Sequence, residues 1–296
     1  MERGINMASS FQGMKINPKQ FHVSQIKFYL VIIPIALFMT LPIIYILSQA
    51  FKPLDELFRF PPTFIVRRPT MQNFRMIMSL TSDTGIPMSR FLINTLVTTV
   101  VTVGLSILIT AMSAYAFSKK KFRAKEWLFK LNQAALMFVP AAVGIPRYLI
   151  IVNMGLNNNF LVHILPLLVM PVALFLVKQF VDQVPDSLIE SARLDGAGEV
   201  TVMLKIVFPL IKPALATVGI LCFQIVWGAT EASNLYLVDD TLKSFAFYIG
   251  TLATLNTPAM AGVQAAASLI MFLPNLIIFI ALQSRVMNTM SHSGIK

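Results

Sequence analysis

The chain has 296 residues, 56% of them hydrophobic and only 12% charged. Soluble domains carry about 25% charged residues, so lipid is the main solvent and a soluble globular enzyme is excluded. The formal charge of +11 does not describe a nucleic-acid surface, because several basic residues sit at the ends of apolar runs, where they anchor membrane helices.

The first 27 residues are polar and read as a cytoplasmic tail, with Met7 and Met14 leaving the start open. The first apolar run is longer than the roughly 7–15 residues of a signal-peptide core, so it reads as a retained helix. A helix that crosses the hydrocarbon core needs ~20 apolar residues. Six stretches qualify. They lie between Lys27 and Lys52, between Arg90 and Lys119, from Trp127 to Leu149, from Leu161 to Phe180, from Pro213 to about Asn234, and from Val263 to Leu282. The third is interrupted by Pro140, Pro146 and Arg147, and Thr251 to Gly262 reads as a loop before the sixth. Prolines in or beside the spans suggest a bundle around a path, since a freed carbonyl needs a neighbour or a wet cavity.

Six spans place both termini on one side. With that side cytoplasmic, 16 of the 24 basic residues are inside, and six of the outer eight lie in one loop, Ala50 to Arg90. Pro53, Pro61, Pro62 and Pro69 make that loop irregular and partly extended. The expected organisation is a tail over 1–27, a six-helix permease domain over 28–284 and a cytoplasmic tail over 285–296.

Between spans four and five lies PDSLIESARLDGAGEVTVMLKIVFPLIKP, Pro185 to Pro213. Ser187 and Glu190 have capping-box spacing, and Asp186 suits a helix N-terminus. Leu188, Ile189 and Ala192 form an apolar stripe. Gly196 permits a left-handed turn that ends the helix. A second helical stretch follows, with Val202 and Ile206, and stops at Pro209.

This segment resembles the EAA loop of ABC-importer permeases: E-A-A, three residues, G, about nine residues, then I-x-x-P. It reads here as Glu190, Ser191, Ala192, Asp195, Gly196, Ala197, Ile206 and Pro209. Asp-Gly-Ala and Pro213 are similar to the carbohydrate, maltose-type branch, and Ser191 departs from the usual alanine. RFLINTLVTT, AYAFSKKKF, IPRYLIIVNMGLNNN and FLPNLIIFIALQ extend the resemblance to most of the chain. The resemblance implies an all-α membrane protein of the type I importer permease fold, in a bacterial plasma membrane. It implies that the short helix seats on a separate ATPase subunit. The assembly would hold a second related permease, two ATPase subunits or domains that bind ATP and Mg, an extracytoplasmic solute-binding protein, membrane lipid and a sugar substrate.

The chain contains no Walker A string, so nucleotide must bind elsewhere. Cys222 has no disulfide partner, and His22, His163 and His292 are far apart in sequence, so no metal or cofactor is expected in this chain. Arg147 interrupts span three, either facing a cavity or snorkelling to water. Gln224, Trp227, Thr230, Glu231 and Asn234 recur at helical spacing and suit sugar binding or packing against the partner permease. Tyr148 and Asn94 are further path candidates, and an Arg147–Glu231 salt bridge is an alternative role for that pair. An importer of peptides, amino acids or acidic oligosaccharides carries the same general pattern. An ion-coupled carrier or a membrane enzyme would need inverted repeats or a catalytic constellation.

Overall fold

The computed structural model describes residues 26–61, 63–79, 85–254 and 257–293, and its regular structure is helical. Most of the expected N-terminal tail, Asn256 of the expected loop and the last three residues of the C-terminal tail lie outside the described residues. In chain order the α-helices are α1 (Ile26–Phe51), α2 (Leu54–Leu57), α3 (Gln72–Ser79), α4 (Met88–Lys119), α5 (Lys125–Ala135), α6 (Gly144–Asn153) and α7 (Pro171–Asp182). They continue with α8 (Asp186–Leu194), α9 (Glu199–Val202), α10 (Phe208–Leu210), α11 (Lys212–Trp227), α12 (Glu231–Leu235), α13 (Phe245–Thr254) and α14 (Pro258–Ser293).

Among the described residues, four helices are long and apolar enough to cross a membrane: Phe28–Phe51, Met88–Lys119, Lys212–Leu235 and Met260–Ala281. The pair Phe160–Leu167 and Pro171–Asp182, bent by 44°, makes a fifth if counted as one broken span. Proline causes the bend: it drives the residue before it out of the helical region, and Met170, before Pro171, has φ −115° and ψ 108°.

The third expected span is not one helix. It divides into α5, a 3-10 turn at Pro140–Val143, and α6. Pro140 and Pro146 each fall in the first turn of a piece, where a missing N–H costs nothing. The expected loop at Thr251 to Gly262 is also shorter than the sequence suggests, because α13 runs to Thr254 and α14 starts at Pro258. Gly262 lies inside α14 for a packing reason. A Cβ there would stand 2.7 Å from the Asn73 amide nitrogen and 2.8 Å from the Leu57 side chain. That amide donates to the carbonyls of Ala50 (2.9 Å) and Lys52 (2.8 Å), which close the end of α1.

The long loop after α1 is irregular between α2 and α3, as its prolines suggest, but it is pinned. The Glu56 carboxylate accepts the backbone N–H groups of Arg67 (3.1 Å) and Arg68 (3.0 Å), and Lys52 Nζ donates to the Thr63 carbonyl.

α4 packs against α7 and α11, α11 against α14, and α1 along α14. Lipid tails are as apolar as leucine, so burial alone does not hold membrane helices together; close approach of small residues does. Ala111, Ala114, Ala173 and Ala214 are fully buried at these contacts. Leu30, Leu37 and Phe38 on α1 remain exposed, as lipid-facing side chains.

Candidate functional site

α8 lies at one end of the bundle, after the bent pair. It begins two residues earlier than its sequence signal, with Pro185 rather than Ser187 at the N-cap, and the expected capping box does not form. Pro185 is the N-cap and makes no side-chain cap, so Asp186 enters the first turn and Ser187 and Glu190 stay exposed. Proline at this boundary fixes an extended backbone (φ −60°, ψ 132°) that launches the helix.

The C-terminal end follows the expectation closely. Gly196 has φ +82°, its N–H reaches the Arg193 carbonyl (3.1 Å), and the Ala197 N–H reaches the Ala192 carbonyl (2.9 Å). These two bonds make a Schellman motif, which needs a left-handed residue at that position. Ile189 and Ala192 are buried among Val181, Val184, Val202 and Val207, and Ala197 packs on the same cluster. Leu188, the third member of the expected stripe, is exposed. So are Glu190, Ser191, Asp195 and, at 89% exposure, Leu194. Leu188 and Val200 are exposed apolar side chains of the same segment.

Pro209 does not stop the following stretch. The chain forms a π turn over Met203–Val207, in which the Phe208 N–H reaches back five residues to the Met203 carbonyl. The inserted residue absorbs a proline that cannot donate to the carbonyl four residues back, and the helical path runs on through α10 into α11.

α8 is bolted to the end of α4, and sequence reasoning missed the residues that do it. Lys119 Nζ donates to the Val184 carbonyl (2.7 Å) and to Asp186 (2.8 Å). Past the glycine turn, Glu199 accepts from the Tyr115 hydroxyl (2.7 Å), pairs with Arg193 (3.1 Å) and also pairs with Lys120. The Lys119 hydrogen bond holds the Asp186 carboxyl below its ordinary value, and the Lys120 hydrogen bond, then that of Tyr115, does so for Glu199. A polar cleft of about 540 Å³ is lined by Lys119, Lys120, Asp182, Asp186, Glu190 and Arg193. The only signal for the network was the AYAFSKKKF string, because its partners are 65 to 84 residues away in sequence.

The path candidates cluster toward the other end of α4. Arg147 Nη1 meets both Glu231 oxygens, at 3.1 and 3.2 Å, so the ion-pair alternative is the observed arrangement. Beside it the Tyr148 ring stacks on Tyr236, with centroids 5.7 Å apart. Gln224 and Asn234 are exposed; Asn234 shares α12 with Glu231, whereas Gln224 stands on α11, which ends at Trp227 before α12 begins at Glu231. Trp227 is buried; its Nε1 donates to the Met271 carbonyl (2.9 Å) and its ring stacks on Phe223. Asn94 is buried too, and its amide donates to the carbonyls of Thr241 (2.7 Å) and Lys243 (2.9 Å). Tyr236 and Asn158 carry no signal of their own in the sequence. The Asn158 side chain accepts the N–H groups of Val238 (3.1 Å) and Asp239 (2.8 Å), which fixes the turn after α12. Among the described residues no group of His, Cys, Asp and Glu could hold a metal ion.

Residues 32–284 match the family described as binding-protein-dependent transport system inner membrane component. The inner membrane ABC transporter permease protein YcjP of Escherichia coli is 24% identical over 93% of this chain and 97% of its own length. The arabinooligosaccharides transport system permease protein AraQ of Halalkalibacterium halodurans is 29% identical over 88% of this chain and 93% of its own. A chain from the crystal structure of a bacterial ABC transporter that imports the acidic polysaccharide alginate has the same fold. Its TM-score is 0.75 at 22% identity, over 90% of this chain and 99% of that one.

Proposed function

The chain belongs to the binding-protein-dependent transport system inner membrane components, and we propose that it is one permease of an ATP-driven importer that carries a sugar or oligosaccharide. A relative matched over 88% of this chain is named for arabinooligosaccharides, and one matched over 69% for melibiose, raffinose and stachyose. The Asp195-Gly196-Ala197 triplet agrees with that branch.

The observation that carries the reading is α8. It is a short helix seated on the core by Ile189 and Ala192 and closed by a left-handed glycine. It turns Glu190, Ser191 and bare Leu194 outward. This face suits a groove on a separate ATPase subunit, which binds ATP and Mg. In this reading both termini and the tails are cytoplasmic, a second permease completes the path, and a solute-binding protein delivers substrate at the outer end. The chain's own work is mechanical: displacement of α8 repacks the bundle between two arrangements. At the outer end, Arg147, Tyr148, Gln224, Glu231 and Asn234 form the surface offered to substrate or to the second permease. Asn94 and Trp227, the other two path candidates, are buried and bonded to backbone carbonyls.

An acidic oligosaccharide is a second reading, favoured by Arg147. Its charge is held by Glu231, and a substrate carboxylate can take over that partner. Uptake assays on the assembled transporter in vesicles test both readings. Neutral oligosaccharides entering in an ATP-dependent manner support the first. Uptake restricted to uronic-acid oligosaccharides supports the second, and uptake of peptides alone contradicts both.

A further inference from the structure

We infer that Glu199 is a joint through which movement of α8 is passed to α4 and along it to the outer surface; this rests on the coupling role proposed for α8. The last turn of α4 grips both ends of the coupling segment. Lys119, with its side chain only 9% exposed, holds the start of α8 through Asp186 and Val184. Tyr115 and Lys120 hold the far side of the glycine turn through Glu199. Glu199 also pairs with Arg193 on α8 itself (3.1 Å). One carboxylate therefore ties α8, the first turn of α9 and α4 together. Half-exposed ion pairs of this kind add little stability, so three convergent donors on one carboxylate point to positioning.

The far end of α4 is tied as closely. Tyr115 and Asn94 are 21 residues apart, about 32 Å along one uninterrupted helix. There Asn94 and Arg90 hold the Thr241 carbonyl, and the Thr95 hydroxyl accepts the Phe245 N–H (2.8 Å). Ser244, next along, is bonded through its N–H to the Ser233 hydroxyl (2.9 Å) on α12, the helix that begins with Glu231. α4 thus works as a rod with a charged joint at one end and the Arg147–Glu231 surface at the other. A tether through packed side chains and a rigid helix is the physical route by which two distant sites can share one two-state change.

The test uses the complete transporter, purified with its ATPase subunits and reconstituted in vesicles, and reads uptake per ATP hydrolysed. Glu199→Ala is expected to lower that ratio about tenfold while the ATPase subunits still co-purify and hydrolyse ATP. A short thiol-to-thiol crosslink in the Lys120→Cys, Glu199→Cys variant is expected to restore the ratio to within about twofold of the parent. Tyr115→Phe keeps the ring and removes one donor; it is expected to lower the ratio about threefold, and it serves alone where Glu199→Ala does not assemble. An unchanged ratio in Glu199→Ala or Tyr115→Phe overturns the joint, as does a crosslink that restores nothing. Loss of ATPase binding in Glu199→Ala overturns it too, because Glu199 would then be part of the docking surface. Failure of the underlying coupling reading looks different: Gly196→Val would leave the ratio at the parent value.

Discussion

The two ends of α4 hold carboxylates in contrasting settings. At the α8 end, Glu199 gathers a hydroxyl and two cations, and a left-handed glycine closes the turn beside it. At the other end, Glu231 has a single cation, Arg147, and stands at a break between two helices. The first arrangement is built to keep its shape when pushed. The second can exchange its partner. The proposed division of labour, force received at one end and cargo met at the other, calls for that difference.

The largest effect that would break the contrast is expected at Gly196. Valine at φ +82° costs about 1–2 kcal/mol in backbone strain and opens the Schellman bonds. Gly196→Val should cut vesicle uptake by at least about tenfold, because α8 no longer presents its face squarely. Asn94→Ala comes next. It leaves the Lys243 carbonyl without its side-chain donor and the Thr241 carbonyl with Arg90 alone, and should cost about 1–3 kcal/mol in thermal unfolding of the purified protein. A stability change near zero would show that the outer end of α4 is not tied as described.

Glu231→Gln should change stability by less than about 1 kcal/mol, since its pair is 32% and 45% exposed, yet alter which oligosaccharides are taken up. Unaltered selectivity would remove Glu231 from the substrate surface. The smallest effect concerns pH. The Asp186 and Glu199 carboxyls lie below their ordinary values when folded, so their contribution is complete above about pH 4, the unfolded range, and fades only as pH falls through the lower folded values. The thermal midpoint should be flat from about pH 6 to 8 and decline below about pH 4; a decline between 6 and 8 would contradict the assignment.

How much the sequence disclosed differs between the same two ends. Gly196, Ile189 and Ala192 were legible because a turn type and a helical stripe are local properties of neighbouring residues. The start of α8 was misplaced, because Pro185 took the boundary that Ser187 and Glu190 seemed to offer. Periodicity over Gln224 to Asn234 could not show the break at Gly228–Thr230 that separates α11 from α12, nor that Trp227 is buried. Four helices and the bent pair were visible from apolar length alone, whereas the third expected span was cut by prolines whose effect depends on where each piece restarts. Glu199 and Asn94 were not readable as ties, because apart from Arg193 their partners lie 79 to 149 residues away.

The account stands or falls on what covers α8. A cysteine at Ser191, with Cys222 buried and silent, can be probed with a membrane-impermeant maleimide in spheroplasts. The account predicts no labelling from outside, labelling after permeabilisation, and protection when the ATPase subunits are bound. Labelling of intact spheroplasts, or equal labelling with and without those subunits, would contradict it.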